Sequence, residues 1–220
     1  MSETITIALS KGTLLDPTLD LLQRAGYGKN TIDSQSRRLV LECPQHGQTL
    51  LIVRPSDVPT YVEYGAADVG VVGKDLILEQ NPNVYEPVDL RIGICKLVVA
   101  MQKGKRFPRR LSSKIRVATK YPNMTERYFN QQGIPVEIIK LYGSIELAPL
   151  VGLAERIVDL VSTGRTLKAH NLVETEIIAW SSARLIVNRA SLKMKHRVIS
   201  ELIQRLKSNR PQNPVRKMER

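Results

Sequence analysis

Residues 157–167, Ile-Val-Asp-Leu-Val-Ser-Thr-Gly-Arg-Thr-Leu, constrain the possible folds more than any other stretch. The apolar start reads as a short strand, Ser162-Thr163-Gly164 as a turn, and Arg165-Thr166-Leu167 as the opening of a helix. A helix N-terminus presents unpaired N–H donors and a positive dipole, so this turn suits a phosphate. Asp159 would repel that phosphate if it faced the same cradle. At the strand end it could instead accept hydrogen bonds from sugar hydroxyls. Phosphate beside sugar suggests a phosphoribosyl group. The simpler alternative is a helix capped by Ser or Thr.

The same alternation runs along the chain. Strands are expected at 4–9, 39–43, 50–53, 68–72, 84–89, 92–101, 115–119 and 136–139, with 39–43 and 50–53 forming a hairpin about His46-Gly47. Helices are expected at 14–25, 58–64, from Lys74 onward, at 124–132, 145–153 and 191–207. The β-rich run 177–188 reads as one return crossing. Strands alternating with helices give an α/β fold. Ala67-Asp68 and Val72-Gly73-Lys74-Asp75 echo Val158-Asp159 and Thr163-Gly164-Arg165-Thr166, each Asp lying five residues before its Gly. Either the chain holds two lobes built alike, or any βα unit produces this pattern.

Composition narrows the function classes. The 220 residues, 42% hydrophobic and 25% charged, suit a soluble protein with a substantial core. No apolar run approaches the ~20 residues that span a bilayer, and the N-terminus lacks the features of a secretory leader. No membrane partner and a cytoplasmic location are expected. Cys43 and Cys95 are expected to be two buried, reduced thiols. The Cys43…His46 spacing lacks a second pair of ligands, so no protein-bound metal is expected. A net charge of +12 would attract phosphate-rich partners. Much of it lies in 103–110 and in the tail from Arg205 onward, and charge runs are usually solvated. With 5% aromatic residues and no nucleic-acid module, no nucleic acid is expected as partner. The common NTPase and Rossmann glycine motifs are also missing.

Glu146, Gly152, Ala154, Ile157, Asp159, Thr163, Gly164, Thr166 and Leu167 resemble, with their spacing, the signature of the ATP phosphoribosyltransferases. Leu9-Ser10-Lys11-Gly12, Ser36-Arg37-Arg38-Leu39, Arg54-Pro55-Ser56-Asp57, Ala67 to Asp75 and Val117 to Asn123 resemble further blocks of that family. Ser10, Thr13 and His170 depart from it, where Pro, Arg and Asn are usual. The Thr13 change removes any anion contact an arginine would make there.

The resemblance implies the first step of histidine biosynthesis. The adenine N1 of ATP attacks C1 of phosphoribosyl pyrophosphate, pyrophosphate leaves, and Mg²⁺ assists. It also implies a two-lobed fold like the type II periplasmic binding proteins, with two crossing segments and the active site in the cleft. On this basis 1–92 with 178–207 form lobe I, 93–177 form lobe II, and 208–220 form a basic, disordered tail. Glu146, Asp159, Ser162, Thr163, Gly164, Arg165 and Thr166 are assigned to phosphoribosyl pyrophosphate. Lys11, Gly12, Asp75 and Tyr121 are assigned to ATP, and Lys11, Arg37 and Arg54 to catalysis at the leaving group. The length resembles the short, catalytic-only form, whose partner is a regulatory subunit resembling histidyl-tRNA synthetase in a hetero-octamer. A homodimer of the catalytic chain is implied too. The rival reading is a non-catalytic, bilobed small-anion-binding protein.

Overall fold

The computed structural model describes residues 4–28, 38–43, 47–105 and 114–212. The expected hairpin turn at His46, most of the basic stretch 103–110, the end of the basic tail, and Arg37 with Ser36 lie outside these residues. The chain divides into two units, Met1–Ile94 with Ser182–Arg220 and Cys95–Ser181. The divisions fall a few residues beyond the expected 92/93 and 177/178.

Unit 1 is built on a six-stranded sheet with order β2-β3-β1-β4-β11-β5. Its strands are β1 (Ile5–Ser10), β2 (Val40–Cys43), β3 (Gln48–Val53), β4 (Val69–Gly73), β5 (Tyr85–Asp89) and β11 (Ala183–Val187). β1 runs parallel to β3 and β4, whereas β2 and β11 are antiparallel to their neighbours. The parallel centre is buried on both faces, as such sheets require. Ile5, Ile7, Leu9, Val69 and Val71 share a core with Leu19 and Leu22 of α1 (Leu15–Arg24) and Ile199, Leu202 and Leu206 of α8 (His196–Asn209). Ala8 and Val72 face the other way, against Val58 and Val62 of α2 (Val58–Glu63). The period-2 alternation of the strands thus sorts side chains between two helix layers. α3 (Lys74–Gln80) follows β4 directly.

Unit 2 carries a five-stranded sheet with order β10-β6-β9-β7-β8. Its strands are β6 (Cys95–Gln102), β7 (Ile115–Thr119), β8 (Val136–Lys140), β9 (Arg156–Val161) and β10 (Leu172–Ser181). β6 is antiparallel to β9 and β10, and β7 is parallel to β8 and β9. Val98, Ala118, Ile157 and Val161 form its core with Ala148 of α5 (Leu147–Leu150) and Leu167 of α6 (Arg165–Ala169). α4 (Pro122–Gln131) packs on β8.

The run 177–188 passes from one unit to the other, as expected of a return crossing, and does so as two strands in different sheets, β10 and β11, separated by Ser182. Two helix expectations are corrected. The helix expected at 145–153 is the single turn α5, because Pro149 has no N–H for a longer ladder and Gly152 turns left-handed at φ 74°. The last helix is two: α7 (Arg189–Met194) ends at Lys195, whose φ of −118° and ψ of 35° leave the helical region, before α8 begins. α7 opens on Asn188, whose side chain accepts from the N–H groups of Ala190 and Ser191. Cys43 is buried as expected, while Cys95 is half-buried.

The break at Lys195 carries its ammonium to Asp68. That carboxylate accepts from Thr6 N at 2.9 Å, Ser191 Oγ at 2.7 Å and Lys195 Nζ at 2.7 Å. It is 6% exposed and ties β1, α7 and the start of α8 to the approach of β4. Lys195→Met leaves this charge with neutral donors only. It should cost about 1–3 kcal/mol, read as a lowered urea midpoint with an unchanged slope, and Ser191→Ala should cost about 1 kcal/mol.

Candidate functional site

β9 runs between β6 and β7, at the centre of its sheet. Its position is pinned from β7: Thr119 Oγ1, fully buried, donates to Val158 O at 2.8 Å and accepts from Tyr121 N at 2.9 Å. The next residue is Asp159, half-buried. Its Oδ1 accepts from Leu160 N at 2.8 Å. Burial, joined by the negative charge of Glu146, pushes its pKa up to about 6, against the smaller lowering influences of the Leu160 N–H and Lys120. A carboxylate short of donors is poised to accept more of them, and sugar hydroxyls would serve. Glu146, half-buried at the start of α5, lies close enough to influence that charge.

Beyond Val161 the chain turns through Ser162, Thr163 and Gly164 into α6. Gly164 has φ 71°, a left-handed conformation that glycine adopts without strain. Ser162, Thr163, Arg165 and Thr166 are exposed, and no side chain caps α6. The capped-helix alternative therefore fails: the hydroxyls do not serve the helix end. Leu167, 5% exposed, anchors the helix in the core. His170 closes it, its Nδ1 lying 2.9 Å from Thr166 O, which requires the tautomer protonated at Nδ1.

A second set of candidates sits where parallel strands of unit 1 end. Ser10 pairs with Val53, and Lys11 N donates to Val53 O at 2.8 Å, so Lys11 and Arg54 leave adjacent strand ends side by side. Both are exposed. Gly12 follows with φ 101° and open space around its Cα. Carboxyl ends of parallel strands are where open α/β sheets bind ligands. Ser10 is buried and donates to Val71 O at 2.8 Å, which fixes this end of β1 on β4. Asp75 and Tyr121 are only 6% and 4% exposed. The structure brings Asp159, Glu146 and the 162–166 turn together, and separately Lys11, Gly12 and Arg54.

Sequence reasoning missed Lys96 and Glu174. Lys96, the second residue of β6, lies opposite Val161, and its ammonium forms an ion pair with Glu174 of β10. A Cβ added to Gly164 would stand 3.5 Å from Glu174 Oε1. A lysine near the start of an apolar strand carries no sequence signal of this placement.

The raised Asp159 pKa has a consequence for stability. The unfolded carboxyl ionises near 3.8 and the folded one near 6. Between those values the folded state holds the extra proton, so wild-type stability falls as pH rises through that window. Asp159→Asn abolishes this dependence. Its melting temperature should match wild type near pH 4 and exceed it above pH 6, by the equivalent of about 1–3 kcal/mol. Equal melting temperatures at pH 8 would contradict the desolvated carboxylate.

The chain is similar to known proteins over nearly its whole length. The family model HisG: ATP phosphoribosyltransferase matches residues 54–208. An ATP phosphoribosyltransferase of Syntrophotalea carbinolica is 55% identical over 94% of this chain and 95% of its own. ATP phosphoribosyltransferase 2 of Geobacter sulfurreducens is 53% identical over 95% of this chain and 100% of its own. The fold is similar to a chain in the ATP phosphoribosyl transferase (HisG:HisZ) complex from Thermotoga maritima, with TM-score 0.81, 33% identity, and coverage of 94% and 98%. Among the described residues no helix is long and apolar enough to cross a membrane. With the two sheet-bearing α/β units, these matches establish the fold class as that of the type II periplasmic binding proteins. The chain belongs to the HisG family, the ATP phosphoribosyltransferases.

Proposed function

We propose that Ser162 to Thr166 hold the 5′-phosphate of phosphoribosyl pyrophosphate, that Asp159 and Glu146 hold its ribose hydroxyls, and that Lys11, Arg37 and Arg54 neutralise the leaving pyrophosphate. The chain is a phosphoribosyltransferase of histidine biosynthesis, and ATP is the acceptor. Membership of an enzyme family removes the reading as a non-catalytic anion-binding protein. The observation that carries the proposed assignment is Asp159, a half-buried carboxylate beside a glycine turn whose hydroxyls are not used by its helix.

The reaction forms the bond from adenine N1 to C1 as the bond from C1 to the pyrophosphate oxygen breaks. The electron pair of the broken bond leaves with pyrophosphate, and the N1 lone pair makes the new bond. N1 carries no proton in neutral ATP, so no general base is needed. What remains is alignment and charge. Holding phosphate and ribose fixes C1 in place, and such alignment is worth up to about 7–11 kcal/mol. Arg54 and Arg37 suit the leaving group because a guanidinium donates to two phosphate oxygens at once. Asp75 and Tyr121, both largely buried, are assigned to ATP in this reading together with Lys11 and Gly12.

Enzymes of this family act with a divalent metal, which we take to be Mg²⁺. Among the described residues no three His, Cys, Asp or Glu side chains converge as a metal site. Asp159 and Glu146 offer two carboxylates, which fits a magnesium ion otherwise coordinated by substrate oxygens and water. Bound there, it would supply charge neutralisation to the pyrophosphate.

Steady-state kinetics separate the assigned roles. Arg54→Ala should lower kcat at least tenfold with a smaller change in substrate affinity, because charge on pyrophosphate grows in the transition state. Gly164→Val should instead weaken phosphoribosyl pyrophosphate binding tenfold or more, since charge-assisted hydrogen bonds are worth about 1.5–3 kcal/mol. Wild-type kinetics for both folded variants would end this assignment.

The proposal extends to assembly. The Thermotoga maritima relative is described in complex as HisG:HisZ. We take this chain to form a homodimer that joins a synthetase-like regulatory subunit in a hetero-octamer. Light scattering of the co-expressed proteins should give one particle several-fold heavier than the catalytic chain alone, and separate elution would refute it.

A further inference from the structure

The 162–166 turn has a carboxylate beside it that does not belong to the ribose-binding pair. Glu174 Oε1 lies 3.5 Å from where a Cβ on Gly164 would stand, so that oxygen is within about 5 Å of the turn's own backbone. An unopposed negative charge that close to the turn would repel a phosphate dianion bound there. The other carboxylate oxygen, Oε2, is held by the ammonium of Lys96. Both side chains are partly withdrawn from solvent, at 22% and 30% exposure.

Strand register explains how Lys96 gets there. Lys96 lies opposite Val161 on β9, the last residue before the turn, and opposite Trp180 on β10. Glu174 lies opposite Ala100, four residues along β6 on the same side as Lys96 and Val98. Val98 and Ala100 are buried in the core with Leu167 of α6. Lys96 and Glu174 therefore reach toward each other along the sheet face that α6 covers, and they meet next to Gly164.

We propose that Lys96 is a positioning residue for phosphoribosyl binding: by pairing with Glu174 it cancels the carboxylate charge beside Gly164 and keeps the 162–166 turn attractive to a 5′-phosphate. The inference rests on that turn being the phosphate site. Lys96 acts through Glu174, not by touching the substrate. It follows that losing Lys96 alone is worse than losing the whole pair.

Calorimetric titration of phosphoribosyl pyrophosphate into the intact protein tests this with five variants. Lys96→Met should bind at least tenfold more weakly than wild type, with the affinity for ATP unchanged. Lys96→Arg, which keeps the charge, should stay within threefold of wild type. Glu174→Gln should bind as tightly as wild type or more so. The double variant K96M/E174Q should recover to within threefold of wild type. If K96M/E174Q binds as weakly as Lys96→Met, or if folded Lys96→Met binds normally, the proposal is overturned. The fifth variant, Gly164→Val, reports on the turn itself. If it binds weakly while Lys96→Met binds normally, the phosphate turn stands and only the role of Lys96 is lost. If Gly164→Val also binds normally, the turn assignment falls as well.

Discussion

A partly desolvated carboxylate at the centre of a sheet is the constraint around which unit 2 is arranged. Asp159 has one backbone donor, from the residue that follows it, and a second acid nearby. Burial without full pairing is unfavourable, so the surroundings must be rigid enough to impose it. They are. β9 is flanked on both sides by β6 and β7, Thr119 fastens Val158, and Val161 and Leu167 lock the turn from below. Each buried aliphatic side chain of this kind contributes about 1.5–3 kcal/mol. A few such residues offset the partial burial of this carboxylate.

Asp68 shows what the same kind of residue does when the protein completes its bonding. In sequence the two aspartates look alike, each five residues before a glycine that precedes a helix. In the structure the likeness breaks down. Asp68 lies just before β4, while Asp159 lies within β9. Gly73 is extended at φ −66°, and Gly164 is left-handed at φ 71°. Asp68 receives a backbone N–H, a hydroxyl and an ammonium, which occupy most of its acceptor capacity, and these bonds hold the fold. Asp159 receives one N–H and keeps its remaining capacity open. The number of donors supplied by the fold, not the motif, separates the two aspartates.

The α/β alternation was legible because short buried strands and amphipathic helices have different periods, and the parallel core of unit 1 preserves that difference in Ile5, Ile7 and Leu9 against Ala8. The glycine turn before α6 was legible because Gly164 and its hydroxyl neighbours are local in sequence. Tertiary contacts decided what was not. The helix break at Lys195 accompanies a bond to Asp68, 127 residues away. The crossing expected at 177–188 changes sheets at Ser182, whose hydroxyl donates to Asp89, 93 residues away. Lys96 and Glu174, 78 residues apart, meet only because β6 and β10 pair. Arg37 lies outside the described residues, so its proposed role rests on sequence resemblance alone.

Acidic groups around a phosphate turn pose an electrostatic question of their own. Asp159, Glu146 and Glu174 put three carboxylates near a loop proposed to bind an anion, against Lys96 and Lys120 on the cationic side. A loop meant only for phosphate would be better with fewer acids. One meant for a phosphate joined to a ribose gains from them, because a bare anion meets the repulsion without compensation. A sugar phosphate offsets it by donating its hydroxyls to carboxylates that are otherwise short of partners. Discrimination of this kind comes from making the wrong ligand worse rather than the right one better. On the proposed assignment, a carboxylate left open as Asp159 is would accept ribose hydroxyls, whereas one largely satisfied by the protein, as Asp68 is, would hold the fold instead.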